Sequence, residues 1–242
     1  MLEATEFTLE KLRLWLSEPR LSVYLHAAGG DPWQAYELYL WNANLAQVLL
    51  RDISFFEVAL RNSHDRCMTD QWNGEVHWLL DQQSPVRRPI LRKSKNGSTF
   101  DANAHNRKVI DAIVNGPRRT TNPNRIVSQL TLGFWTHLSD TNHERVLWIP
   151  YLHTIWPKGA DRSKLYASLS MINTMRNRAA HAEKLFNLDG DLSARKCDDA
   201  IVCLMRTLAP AIADRMTNGG QLTPVERYIK TFKLEAGIKV KV

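Results

Sequence analysis

The run DPWQAYELYLWNANLAQVLLRDISFFEVALRNSHDRCMTDQW, residues 31–72, decides the fold class. Its apolar residues return at three- and four-residue steps over much of its length, the period of a helix that buries one face. Asp31 is placed to cap the start, and Pro32 suits a first turn, where no amide hydrogen is needed. The spacing predicts two consecutive helices or one long bent helix, forming the N-terminal half of a helical core.

Upstream, EFTLEKLRLWLS at 6–17 puts Phe7, Leu12, Trp15 and Leu16 on one helical face before Pro19 interrupts it. Between Gln82 and Ala104 the helical period weakens among prolines and glycines, which predicts a long loop or a pair of short elements. Asn103 to Val114 reads as a helix again, and Gly116 with Pro117 as a turn. The segment LTLGFWTHL, 130–138, reads as a short packed helix or an apron over the core, anchored by Phe134 and Trp135, with Gly133 allowing a close backbone approach. From Asp161 a stripe of Leu165, Leu169, Ile172, Met175 and Ala179 predicts a helix running to Asn187, broken by Asp189 and Gly190. Residues 192–216 supply a helix up to or through Pro210, and PVERYIKTF a terminal one. The final GIKVKV, 237–242, reads as a short strand or an ordered tail. No internal repeat and no linker interrupt the pattern, so residues 1–242 read as one all-α domain.

The 242 residues are long enough to bury a core, and 44% hydrophobic with 24% charged residues is ordinary globular usage, which argues against wholesale disorder. Cys67, Cys197 and Cys203 show no paired spacing, so neither a disulfide framework nor a cysteine metal knuckle is expected. No signal-like N-terminus and no spanning apolar stretch is seen, which points to the cytoplasm and away from a membrane. A net charge of +7 attracts polyanions without encoding any particular one. Arg87, Arg88, Arg92, Lys93 and Lys95 concentrate that charge in the 82–104 stretch, a candidate RNA-contacting patch. Trp72, Trp78 and Phe100 flank it and suit core anchoring or base stacking.

The most informative local pattern is RNRAAH, Arg176 to His181. An arginine offers a planar set of donors to phosphate, and a histidine exchanges protons near neutral pH. Asn177, four residues before His181, is placed to orient the imidazole or to bond across a subunit boundary. On a continuous helix Arg176 and His181 point about 140 degrees apart, so they flank a crevice only if the arginine bends inward or the helix ends locally. The bland alternative is a solvated helix end. Glu57 and Arg61 form a second pair at helical spacing, read either as a solvated ion pair or as Glu57 orienting Arg61.

RNRAAHAE resembles the RNRxxHHE segment of the Abi-like branch of the HEPN superfamily, with Ala182 where many members carry a second histidine. PRLSVYL at 19–25, ELYLWN at 37–42, FFEVALRN at 55–62, LTLGFW at 130–135 and RSKLYASLSMINTMRNRAAH at 162–181 resemble the family's features in the same order. The resemblance implies a HEPN-like helical bundle with additional N-terminal helices and a long basic insertion. It also implies a homodimer with a composite active site, working without cofactor or metal. Arg176, Asn177 and His181 are then the catalytic group, with Glu57, Arg61, Arg178 and Glu183 in support. The implied activity is RNA cleavage through 2'-hydroxyl attack by a toxin or abortive phage-defence effector, restrained by an antitoxin or other regulatory partner. A noncatalytic HEPN RNA-binding protein and a structural dimerisation module are the competing readings.

Overall fold

The computed structural model describes residues 8–220 and 222–234; Phe7 and the 237–242 tail lie outside them. The chain is mostly helical. In order come α1 (Leu9–Trp15), α2 (Glu18–Ala27), α3 (Pro32–Gln71), α4 (Ala104–Val114), α5 (Pro123–Gln129), α6 (Leu132–His137), α7 (Arg162–Ala180), α8 (Ala194–Leu208), α9 (Pro210–Met216) and α10 (Pro224–Thr231). The 82–104 stretch forms a pair of short strands, β1 (Leu91–Lys93) and β2 (Thr99–Asp101), antiparallel with Arg92 opposite Phe100. Of the two alternatives for residues 31–72, one continuous helix is what forms. Asp31 Oδ1 accepts the amides of Trp33 at 2.8 Å and Gln34 at 3.1 Å, satisfying two of the donors that a helix start leaves orphaned.

The first helix differs from its sequence reading at its end. It stops at Trp15, and Pro19 lies in the first turn of α2, where its missing amide hydrogen costs nothing. Leu12 and Leu16 are buried, whereas Trp15 is 57% exposed and lies edge-on to Tyr39 with ring centroids 5.1 Å apart.

The chain divides into two compact units, and α3, α7, α8 and α9 each contribute to both. The first unit comprises residues up to 53, 175–202 and from 215. Leu21, Tyr24, Leu38, Leu45 and Leu49 from its N-terminal helices are buried in it, as are Phe186, Ile201 and Val225. Tyr24 meets Tyr39 and Phe186 edge-on, at 5.2 and 5.3 Å between centroids, the arrangement aromatic quadrupoles favour. The three cysteines are free, as their spacing predicts.

The second unit comprises residues 54–174 and 203–214. Its interior includes Phe56, Leu60, Met68, Trp78, Phe134, Trp135, Leu169 and Ile172. The two buried indoles keep their polar ends paired: Trp78 Nε1 donates to Asp65 at 3.0 Å and Trp135 Nε1 to the Leu130 carbonyl at 3.3 Å. The segment 130–138 is thus architectural, as its aromatics predict. Gly133, by contrast, is not needed for a close approach, since an added Cβ would lie 3.6 Å from the nearest atom, the Asn173 amide oxygen.

His64 is fully buried in this unit beside Trp135. Its Nδ1 lies 2.9 Å from the Leu60 carbonyl, and its Nε2 is buried without a partner. Burial pushes its pKa down to about 4, against the Leu60 contact, which favours the charged ring. The unfolded chain therefore takes up a proton near pH 6.5 that the folded chain refuses, and stability falls as pH drops from about 6.5 to about 4. The full contribution, present above the unfolded value, is about 3 kcal/mol. Denaturant midpoints across this window should show a shallower pH slope for His64→Leu than for the parent; equal slopes would remove His64 from the acid sensitivity.

Candidate active site

The RNRAAH segment occupies the last turn and the stop of α7, within the first unit. The helix ends at Ala180, seven residues short of the stop that its sequence reading gave. The cause is local. Ala182 has φ of 53°, the left-handed conformation that closes a helix. Its amide donates to the Ala179 carbonyl at 3.2 Å, while the Glu183 amide reaches back to the Arg178 carbonyl at 2.9 Å. These are the paired reverse bonds of a Schellman cap, with Ala182 at the position glycine usually takes. Among the described residues only Ala182 and Asn218 hold positive φ without being glycine. Ala182→Gly should accordingly stabilise the fold by about 1 kcal/mol by relieving the Cβ clash, read as a raised denaturant midpoint.

Three side chains fasten the chain that leaves the cap. Arg178 donates to Glu183 at 3.2 Å, to the Lys184 carbonyl at 2.6 Å and to the Leu192 carbonyl at 3.3 Å. The buried Asn42 of α3 donates to the Glu183 carbonyl at 3.0 Å and accepts the Leu185 amide at 2.6 Å. Arg20 of α2 donates to the His181 carbonyl at 3.1 Å. Arg178 and Glu183 are thus a clamp on the helix end. Arg20 and Asn42 were not singled out from sequence; both lie within the ordered segments that carry the family resemblance, which is the only signal that marked them.

His181, at the cap position, is exposed, and its backbone amide bonds the Asn177 carbonyl at 3.0 Å. Its imidazole has no hydrogen-bond or ion-pair partner among the described residues, so it is available to an incoming group. Asn177 is exposed one turn earlier and its side-chain oxygen accepts from the half-buried Arg176 at 3.3 Å. Arg176 and Asn177 are therefore brought together, while no side-chain bond joins either of them to the His181 ring. Beside the cap opens a pocket of about 410 Å³ whose walls include Arg20, Tyr24, Arg178, Ala182, Glu183 and Lys184. Burial, reinforced by neighbouring Tyr39, holds the Tyr24 phenol up at about 12, so it stays neutral.

The remaining sequence candidates belong to the second unit. Glu57 and Arg61 are half-buried one turn apart on α3, and Arg61 Nη1 reaches the Ser128 carbonyl at 3.5 Å. The basic stretch divides in two. Arg88, Lys93 and Lys95 are exposed, whereas Arg92 is half-buried and donates to the Asn142 carbonyl at 2.7 Å. Arg87 is buried, bonded to Asp111 at 2.5 Å and to the Leu79 carbonyl at 3.1 Å, so its charge is used inside the fold. Trp78 is wholly interior, Trp72 half-buried and Phe100 41% exposed, which leaves Phe100 as the most exposed aromatic of the three.

Together these features define a mostly helical protein that carries an arginine and an asparagine in the last turns of α7 and an unpartnered histidine just past its end. The chain belongs to the family of Abi-like proteins, whose model matches residues 20–187. No curated protein and no solved structure matches it. Among the described residues, no helix is long and apolar enough to cross a membrane.

Proposed function

We propose that the chain is a HEPN-type endoribonuclease that needs no metal for cleavage and acts as a toxin or abortive phage-defence effector. The observation that carries this reading is the helix stop itself. It leaves the His181 ring exposed and unpartnered one turn beyond Asn177, and a pocket bearing Arg20, Arg178 and Lys184 opens beside the same cap. Such a pocket is of the size that small-molecule groups occupy, and its cations attract phosphate. Its net sign favours RNA, since three cations face the single carboxylate of Glu183.

The chemistry follows from residue types. One imidazole takes the proton of a 2'-hydroxyl as its oxygen attacks the adjacent phosphorus; the bond from phosphorus to the 5'-oxygen breaks, and a second acid returns a proton to that oxygen. Arg176 stabilises the negative charge that grows on the phosphoryl oxygens. One chain carries one such histidine, so a homodimer that joins two copies of the site supplies both base and acid. Products are a 2',3'-cyclic phosphate and a 5'-hydroxyl. Incubating a mixed RNA panel with purified protein in excess chelator, followed by end-group analysis, tests this. Those ends from the parent but not from His181→Ala support the reading, and intact RNA from a folded dimer counts against it. Binding without cutting would favour a noncatalytic RNA-binding protein.

A further inference from the structure

We propose that His137, Asp140 and His143 form a binding site for a divalent transition metal ion, with zinc the best fit. The three belong to the second unit and lie where α6 ends at His137 and the chain turns through Asp140, the cap of a short 3-10 turn over Thr141–His143. One nitrogen of each histidine and one carboxylate oxygen come within 4.8 Å of one another. His143 is wholly buried, Asp140 is 8% exposed, and the His137 side chain is 28% exposed.

The hydrogen bonds around this cluster decide which nitrogens carry protons. Asn103 Nδ2 donates to the carbonyls of Pro85 at 2.8 Å and Arg88 at 2.7 Å, so its Oδ1 must be the atom facing His143 Nε2 at 2.9 Å. That oxygen can only accept, so His143 Nε2 bears a hydrogen. Asn106 Nδ2 donates to the same oxygen at 2.9 Å, which turns Asn106 Oδ1 toward His137 Nδ1 at 2.8 Å and places a hydrogen there too. A reversed Asn106 amide would set two acceptors against each other. In the neutral rings, the remaining lone pairs of His143 Nδ1 and His137 Nε2 both face Asp140, at 2.6 Å from Oδ1 and 3.5 Å from Oδ2.

Three acceptors thus converge in a largely buried place and need a positive charge among them. Outer nitrogens anchored to fixed acceptors, with inner nitrogens aimed at one point, are what metal-binding histidines require of their surroundings. The carboxylate is oriented as well, by the Asn142 amide at 3.2 Å and the His143 backbone amide at 3.0 Å. Two imidazoles and a carboxylate are a zinc-type donor set, and zinc bonds of about 2.0 Å require donor atoms roughly 3.3 Å apart, so side-chain shifts that open the 2.6 Å His143–Asp140 contact and draw in separations of up to 4.8 Å admit the ion. The exposed ring of His105, 5.7 Å from that of His137 in an edge-on contact, marks the open side, where water or His105 completes the shell.

The test uses tag-free full-length protein, stripped with chelator and titrated with zinc or cobalt alone. One zinc per chain, a raised melting temperature and visible cobalt d–d absorption are expected. His137→Ala should abolish all three, and Asn106→Ala, which removes the His137 anchor and a donor to Asn103, should weaken zinc about 10- to 100-fold. His26→Ala, a surface control, should change nothing. Zinc uptake that is identical in His137→Ala overturns the proposal. So does a nitrogen NMR spectrum in which both His143 nitrogens stay protonated in excess zinc, which identifies a metal-free imidazolium bound to Asp140. None of these readouts depends on RNA cleavage, so they stand whether or not the His181 site is a nuclease.

Discussion

His181→Ala is expected to lower RNA cleavage by about 10²- to 10⁴-fold, the usual worth of a positioned acid or base. The fold should not notice. Only the backbone of His181 takes part in the helix cap, its amide bonding Asn177 and its carbonyl accepting from Arg20, and alanine preserves both groups. Circular dichroism, melting temperature and dimer mass should therefore match the parent while cyclic-phosphate products vanish. Arg176→Lys adds a second arm. It keeps the charge but loses the planar fork, so cleavage should fall while binding retains its salt dependence. Undiminished cleavage by His181→Ala, once contaminating nucleases are excluded, would sink the catalytic assignment and leave the exposed histidine as a solvated helix end.

Asn42→Ala is expected to cost about 3–5 kcal/mol, because it orphans two backbone groups at about 1–3 kcal/mol each and opens a small cavity. The side chain is 1% exposed and bridges the Glu183 carbonyl and the Leu185 amide, which fastens the chain leaving the cap to α3. Leu185 and Phe186, both buried, depend on that fastening for their entry into the first unit. A denaturant midpoint within error of the parent would show that water replaces the amide at no cost. Comparison with Glu183→Ala separates the clamp's parts: the Arg178–Glu183 ion pair is 3.2 Å long but its glutamate side chain is 54% exposed, so its loss should cost only about 0.2–1 kcal/mol.

Helix content was legible because burial on one face leaves a period in the residues themselves. The Asp31 cap and the aromatic anchor at Phe134 and Trp135 were readable from local chemistry, whereas for the 82–104 stretch a long loop and a pair of short elements stayed open until the pairing of β1 with β2 decided it. The stop of α7 was not. Alanine at 182 carries no turn signal, and helix propensity favours continuation, yet the chain leaves the helix there because Asn42 of α3 holds Glu183 and Leu185 from outside it while Arg178 ties the Lys184 carbonyl back to the last turn. That early stop places Arg176 in the last turns of the helix and His181 just past its end.

The same division holds for the charges and the buried polar groups. Period and motif already specified a mostly helical chain, its family and the residue types of its leading site, since both are properties of neighbours along the chain. Tertiary structure alone decided that Arg87 is spent on Asp111 while Arg88 stays exposed, because adjacent residues differ only in what they fold against. It also decided that His137, Asp140 and His143 converge. Their spacing is readable in HLSDTNH, but the proton placement that aims them inward depends on Asn103 and Asn106 from α4 and the turn before it, tens of residues away along the chain.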